Sequence, residues 1–160
     1  MVGTMYRSLN ASDGATSLAA LGETYEANGA TYQYVKANAT ITAYQVCYIL
    51  DDGTISLATA ALLTTTKPTN VCVPQFAMAS GDYGWAVIGP CFLREDGTTT
   101  FKVLSKIAAK NVLMYGTTTP GSVDDAVTNP KISGLQLTAA QTVDDTATAF
   151  QATTRMSCNL

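Results

Sequence analysis

The side chains in this sequence best suited to chemistry are its paired acids and its cysteines. Acidic pairs stand at Asp51-Asp52, Glu95-Asp96, Asp124-Asp125 and Asp144-Asp145. Two carboxylates about 5 to 10 Å apart across a cleft can share the work of glycoside hydrolysis, and a short loop of oxygen donors can hold calcium. No pair is singled out for the first role. For the second, no further oxygen donor follows Asp51 and Asp52 at calcium-loop spacing. Asp52 runs into Gly53 and Asp96 into Gly97, which is ordinary turn composition. The acids are read as turn residues.

Cys47, Cys72, Cys91 and Cys158 lie far apart with no C-x-x-C pair, and the chain contains no histidine. A zinc site would need thiolate or carboxylate ligands alone, and the spacing offers none. Three of the four stand in apolar runs, where cysteine behaves as a small buried hydrophobe. All four are expected to be free thiols. Lack of histidine also removes the commonest general base, and no nucleophile elbow, P-loop or dinucleotide-binding glycine motif occurs. No catalytic, cofactor-binding or metal-ligating residue is assigned, no cofactor is implied, and the chain is expected not to be an enzyme.

The elements that must position every other side chain are short strands. The pattern centres on Gly81-Asp82-Tyr83-Gly84-Trp85-Ala86-Val87-Ile88, which carries the only tryptophan. With Val71 to Ala79 before it, this stretch predicts a hairpin across a Gly-containing loop. Asn28-Gly29 between two alternating runs is a strong hairpin signal, because both residues accept the positive φ of a type I′ turn. In the strand that follows, Tyr32 and Tyr34 share one face and Gln33 and Val35 the other. Such tyrosines can bind a sugar or a partner, although packing beneath a sheet is the commoner use. A second hairpin is predicted from 44–50 and 54–57 around Asp51-Asp52-Gly53.

Residues 58–70 suit a single helical turn or a surface loop, limited by β-branched threonines and Pro68. Pro74 and Pro90 each remove a ladder donor, so their strands are expected to bulge or lie on an edge. Glu95-Asp96-Gly97 is a turn before a run at 99–103. Val103, Leu104, Ile107 and Ala108 have the best helical spacing in the chain, over barely two turns. Later runs at 111–115, 132–137 and 147–156 are strands, with Pro120-Gly121 suited to the centre of a type II turn. Strands at this spacing predict an all-β sandwich or barrel.

At 160 residues the chain is most simply one domain, divided into an extended N-terminal arm (1–21) and a β-domain (22–160). Charged residues make up only 13%, about half the usual globular share. A surface so poor in charge suits burial against copies of itself or a larger assembly. A net charge of −3 without any Lys/Arg cluster argues against nucleic acid. No run approaches the ~20 apolar residues of a membrane span. Residues 1–20 do not resemble a signal peptide, so synthesis in a cytoplasm is expected.

Several of these stretches resemble, in the same order, small structural proteins of tailed phages. Leu21 to Ala37 is similar to their Leu-Gly segment, Asn/Asp-Gly turn and aromatic strand. Tyr83-Gly84-Trp85-Ala86-Val87-Ile88-Gly89-Pro90-Cys91 is similar to their Tyr-Gly-Trp strand ending in Gly-Pro. Asn111 to Tyr115, continuing through Pro120-Gly121-Ser122-Val123-Asp124-Asp125, resembles a later strand and turn. The likeness covers roughly 21–157. It implies a capsid decoration (cement) protein, commonly trimeric, bound to the outside of the head through the major capsid protein and located in the virion. It implies no catalytic residue. A tail, neck or fibre component is the alternative within that class, and a carbohydrate-binding module built on the tyrosines is the alternative outside it.

Overall fold

A computed structural model describes residues 9–27, 29–66, 70–91, 100–110 and 113–159. The turn expected at Glu95-Asp96-Gly97 lies outside them. The fold is all-β, as expected, with 47% strand and 4% helix. The strands are β1 (Thr24–Ala27), β2 (Ala30–Ala37), β3 (Cys47–Ile49) and β4 (Thr54–Leu57). After helix α1 (Ala60–Thr66) come β5 (Val71–Cys72), β6 (Tyr83–Val87), β7 (Lys102–Ser105), β8 (Leu113–Gly116), β9 (Val123–Asp124), β10 (Lys131–Leu137) and β11 (Thr146–Asn159). Far-UV circular dichroism should show a β spectrum with helix far below the globular average of about a third.

The first sheet is built on β2. Its even-numbered amides at Tyr34, Lys36 and Asn38 donate to the carbonyls of Glu23, Gly53 and Ile55, so β1 and then β4 share one edge. Its odd-numbered amides at Thr31 and Ala37 face the other way, toward Pro90 and Asp82, and β6 runs antiparallel there with Tyr34 opposite Trp85. Beyond β4 follow β3 and β5. A bridge between Val73 and Val87 ties the β5 end back to β6, so the sheet curls on itself. The remaining strands form a closed barrel in the order β10-β11-β7-β9-β8.

Alternation along β2 and β6 divides the interior in two. Tyr32, Tyr34, Trp85 and Val87 point into the larger cluster, shared with Phe101, Met114, Ile132 and Phe150 of the barrel part. Val35, Ala37, Ala86 and Ile88 point into a second cluster with Ile41, Cys47, Ile55 and Met78. The tyrosine stripe is therefore core, and β2 is covered on both faces. The sheet and barrel are also joined through the backbone. Cys91 and Ala152 exchange hydrogen bonds of 2.8 and 3.1 Å, and Met156 N–H donates to Ile88 O at 2.8 Å.

Both short hairpins form as expected, β1 with β2 and β3 with β4 across 50–53; Asn28 of the first turn lies outside the described residues. The central one does not. Residues 71–79 are not one strand facing β6: β5 pairs with β3, and Met78 bridges to Ile41. Pro74 has no N–H to continue a ladder, and its carbonyl instead accepts from Tyr44 N–H at 2.8 Å. Next to it Gln75, buried at 5% exposure, turns its amide into a strand substitute. Its Nε2 donates to Lys102 O at 2.9 Å and its Oε1 accepts from Lys102 N–H at 3.0 Å.

The helical spacing at Val103–Ala108 is also overruled. Residues 102–105 are β7, with Val103 and Ser105 buried and Lys102 exposed. Four residues of pairing to β11 outweigh a two-turn propensity that could not sustain an isolated helix. In contrast, α1 is longer than a single turn and includes the threonines. Thr59 Oγ1 accepts from Leu62 N–H at 3.2 Å as an N-cap, and the hydroxyls of Thr64 and Thr65 donate to the carbonyls of Ala60 and Ala61.

Over 9–21, the lead-in expected to extend as an arm is docked on its own sheet. Asp13 N–H donates to Tyr83 O, and Tyr83 N–H to Gly14 O, each at 2.9 Å. Ser12 Oγ donates to Asp82 at 2.9 Å. Tyr34 Oη donates to Asp13 at 2.8 Å and accepts from Leu18 N–H at 2.9 Å.

Candidate functional site

The fold leaves the described acids where turn chemistry puts them. Asp52 Oδ1 accepts from Thr54 N–H at 2.9 Å and Thr54 Oγ1 at 2.6 Å. Those bonds from Thr54 hold the carboxyl below its ordinary value. Asp124, Asp125, Asp144 and Asp145 share a property that no spacing in the sequence revealed. Asp125 accepts from Ala109 N–H at 3.4 Å and Asp144 from Ile107 N–H at 3.1 Å, so two pairs twenty residues apart converge on the loop after β7. Asp145 accepts from Ser122 Oγ at 2.7 Å. Asp124 accepts from Ala126 N–H, and burial chiefly raises its pKa. Each of these carboxylates therefore caps a neighbouring backbone or hydroxyl group. Among the described residues no group of three or more Cys, Asp or Glu is placed to hold a metal ion.

The cysteines are unpaired. Cys47 and Cys72 lie directly opposite each other on β3 and β5, and burial pushes both thiols well up. Burial takes Cys91 to about 12. Cys158 is only partly buried and is raised less, again by burial. The thiolate is the reactive form, so the buried three are poor nucleophiles. Thiol titration of native protein should find Cys158 reacting ahead of the rest. Denatured, unreduced protein should titrate four thiols, and a lower number would reveal a disulfide.

The tyrosines proposed as a sugar platform are not available for one. Tyr32 is 2% and Tyr34 0% exposed, with Tyr34 in ring contact with Trp85 at 5.0 Å and stacked on Tyr83 at 6.1 Å.

Two surface features among the described residues bear on function. One is the barrel end at which three apolar side chains stand exposed among charged ones. Because β7 and β9 run parallel and β10 and β11 are antiparallel neighbours, the loops after β7, β9 and β10 emerge together. They carry Ile107, Val127 and Val143, at 60%, 75% and 61% exposure. The other is a polar notch of about 310 Å³ between Leu21-Gly22 and the β3–β4 turn. It sits where β2 passes from pairing with β1 to pairing with β4. Sequence reading missed both, since each is assembled from separate loops.

No protein-family model matches the chain, and no curated protein matches it.

Proposed function

We propose that this chain is a structural protein of a tailed-phage virion that decorates and stabilises the outside of the capsid, without catalysis. It acts as a homotrimer seated on the major capsid protein. The observation that carries this reading is the ordered set of motifs at 21–37, 83–91 and 111–125, which resembles small phage structural proteins. The low charge of the chain and the exposed Ile107, Val127 and Val143 at the barrel end support a protein that works inside an assembly. Burial of these exposed side chains in an assembly would remove them from water, and three equivalent contacts on one trimer gain strength by effective concentration. The segment at 9–21 is engaged with β2 and β6, so the barrel end is the better contact face.

The test is imaging of purified virions together with native mass spectrometry of the isolated chain. Density on the capsid exterior and a trimer mass are the expected results. Density confined to the tail or neck would replace this reading with a tail component, and absence from the particle would end the virion assignment.

A further inference from the structure

The notch beside the β3–β4 turn holds an unusual group at its floor. Gln33 is 8% exposed and lines this hollow, yet its carboxamide has no hydrogen-bond partner among the described residues. A buried amide without a partner costs free energy unless an external group supplies one. Nearby, Asn70 adds a second carboxamide, and Asp51 and Asp52 place two carboxylates on the rim. Neither aspartate forms an ion pair among the described residues. Lys36, three positions along β2, belongs to the opposite face and lies over the Tyr83 ring at 5.2 Å. The hollow is thus negatively charged, rich in oxygen acceptors and not neutralised from within.

We propose that this notch is a binding site for a guanidinium group, the head of an arginine side chain presented by a partner protein. Guanidinium is a flat cation with five N–H donors and no acceptor, and it pairs with carboxylates through two parallel bonds. Carboxylates on the rim suit that fork, and the carboxamides of Gln33 and Asn70 each carry an oxygen that can accept from it. Size and lining argue against the competing ligands. A bare divalent cation needs six to eight oxygens closing on it at about 2.3–2.6 Å, and would leave most of the 310 Å³ unfilled. A sugar ring favours an aromatic face to stack on, and the described lining contains no aromatic residue.

The experiment is an NMR titration of ¹⁵N-labelled protein with N-acetyl-arginine amide. N-acetyl-lysine amide, glucose and calcium chloride are titrated separately. The expected result is a saturable shift of the Gln33 side-chain amide and of the backbone amides of Gly22 and Gly53. A single side-chain head should bind weakly, with Kd on the order of 10 mM. Asp51→Asn, at an exposed turn position, should weaken binding by roughly fivefold. Gln33→Leu should abolish it while the protein remains folded, because an apolar side chain of similar size leaves no amide unpaired. Should Gln33→Leu not fold, Asp51→Asn decides. No saturable shift up to about ten times that Kd, unchanged binding in Asp51→Asn, or equal binding of lysine amide, glucose or calcium would overturn the proposal. The probe is a small molecule, so the outcome does not depend on whether the chain sits on a capsid.

Discussion

Replacing Trp85 by alanine is expected to destabilise the protein by about 3 to 5 kcal/mol, the usual cost of emptying a large aromatic site in a core. Trp85 is 2% exposed and stands where β6 crosses β2, opposite Tyr34 in register. Its ring meets Tyr34 at 5.0 Å and Tyr25, edge-on, at 6.0 Å. It belongs to the cluster shared by sheet and barrel, so the void would open where the two halves meet and neither could close it alone. Aromatic pairs of this geometry contribute about 0.5–1.5 kcal/mol each beyond the area they bury. Trp85→Phe should therefore lose less than Trp85→Ala. Urea unfolding measures both, as a fall in midpoint at unchanged slope. A Trp85→Ala protein that unfolds with the parent midpoint would show that the ring does not hold the halves together.

The second large effect is expected at Gly89, where alanine should cost about 2 to 5 kcal/mol from two sources. Its φ of +81° is left-handed, a region that L side chains rarely adopt. An added Cβ would also lie 2.5 Å from Thr154 O and 2.8 Å from Ala152 Cβ. Thr154 belongs to a bulge in β11, where residues 153–156 stand against the single residue Gly134 of β10, and Ala152 is the last paired residue before it, opposite Leu135. Pushing the bulge away strains the backbone bonds from Ala152 to Cys91 and from Met156 to Ile88 that join sheet to barrel. Gly81 separates the two sources. Its φ is +92°, yet no atom lies within 4 Å of an added Cβ. Gly81→Ala should thus lose only the backbone part, about 1 to 2 kcal/mol. Equal losses in the two variants would mean that the close approach at Gly89 relaxes without cost.

The elements that were legible in the sequence are those whose cause is local. Asn28-Gly29 and Asp51-Asp52-Gly53 are turn signals complete within a few residues, and the hairpins expected from them, β1 with β2 and β3 with β4, are present. The run at 71–79 has equal β character, but its partners are chosen by distant residues. Pro74 interrupts the ladder, Gln75 pairs with Lys102 through its side chain, and Met78 finds Ile41. Val103 to Ala108 carries a helical pattern of marginal length, and the ladder to β11 decides it as strand. The acids were recognisable one pair at a time as turn residues. Their convergence after β7 depends on β7 and β9 lying parallel in a closed barrel, and no spacing along the chain encodes that.

By itself the sequence determined an all-β protein with cysteines buried in three of its apolar runs, because β-branched and aromatic runs, turn residues and cysteines in apolar surroundings act over a few positions. It also determined which faces of β2 differ, since side chains alternate along any strand. Only the tertiary structure decided that both faces are covered, that the strands divide into a curled sheet and a closed barrel, and that β11 joins them. It alone placed the Gln33 amide, unpartnered among the described residues, at the floor of a notch rimmed by Asp51 and Asp52. Those outcomes rest on contacts between residues far apart in the chain, where the deciding energy is the joint burial of two surfaces rather than the preference of either.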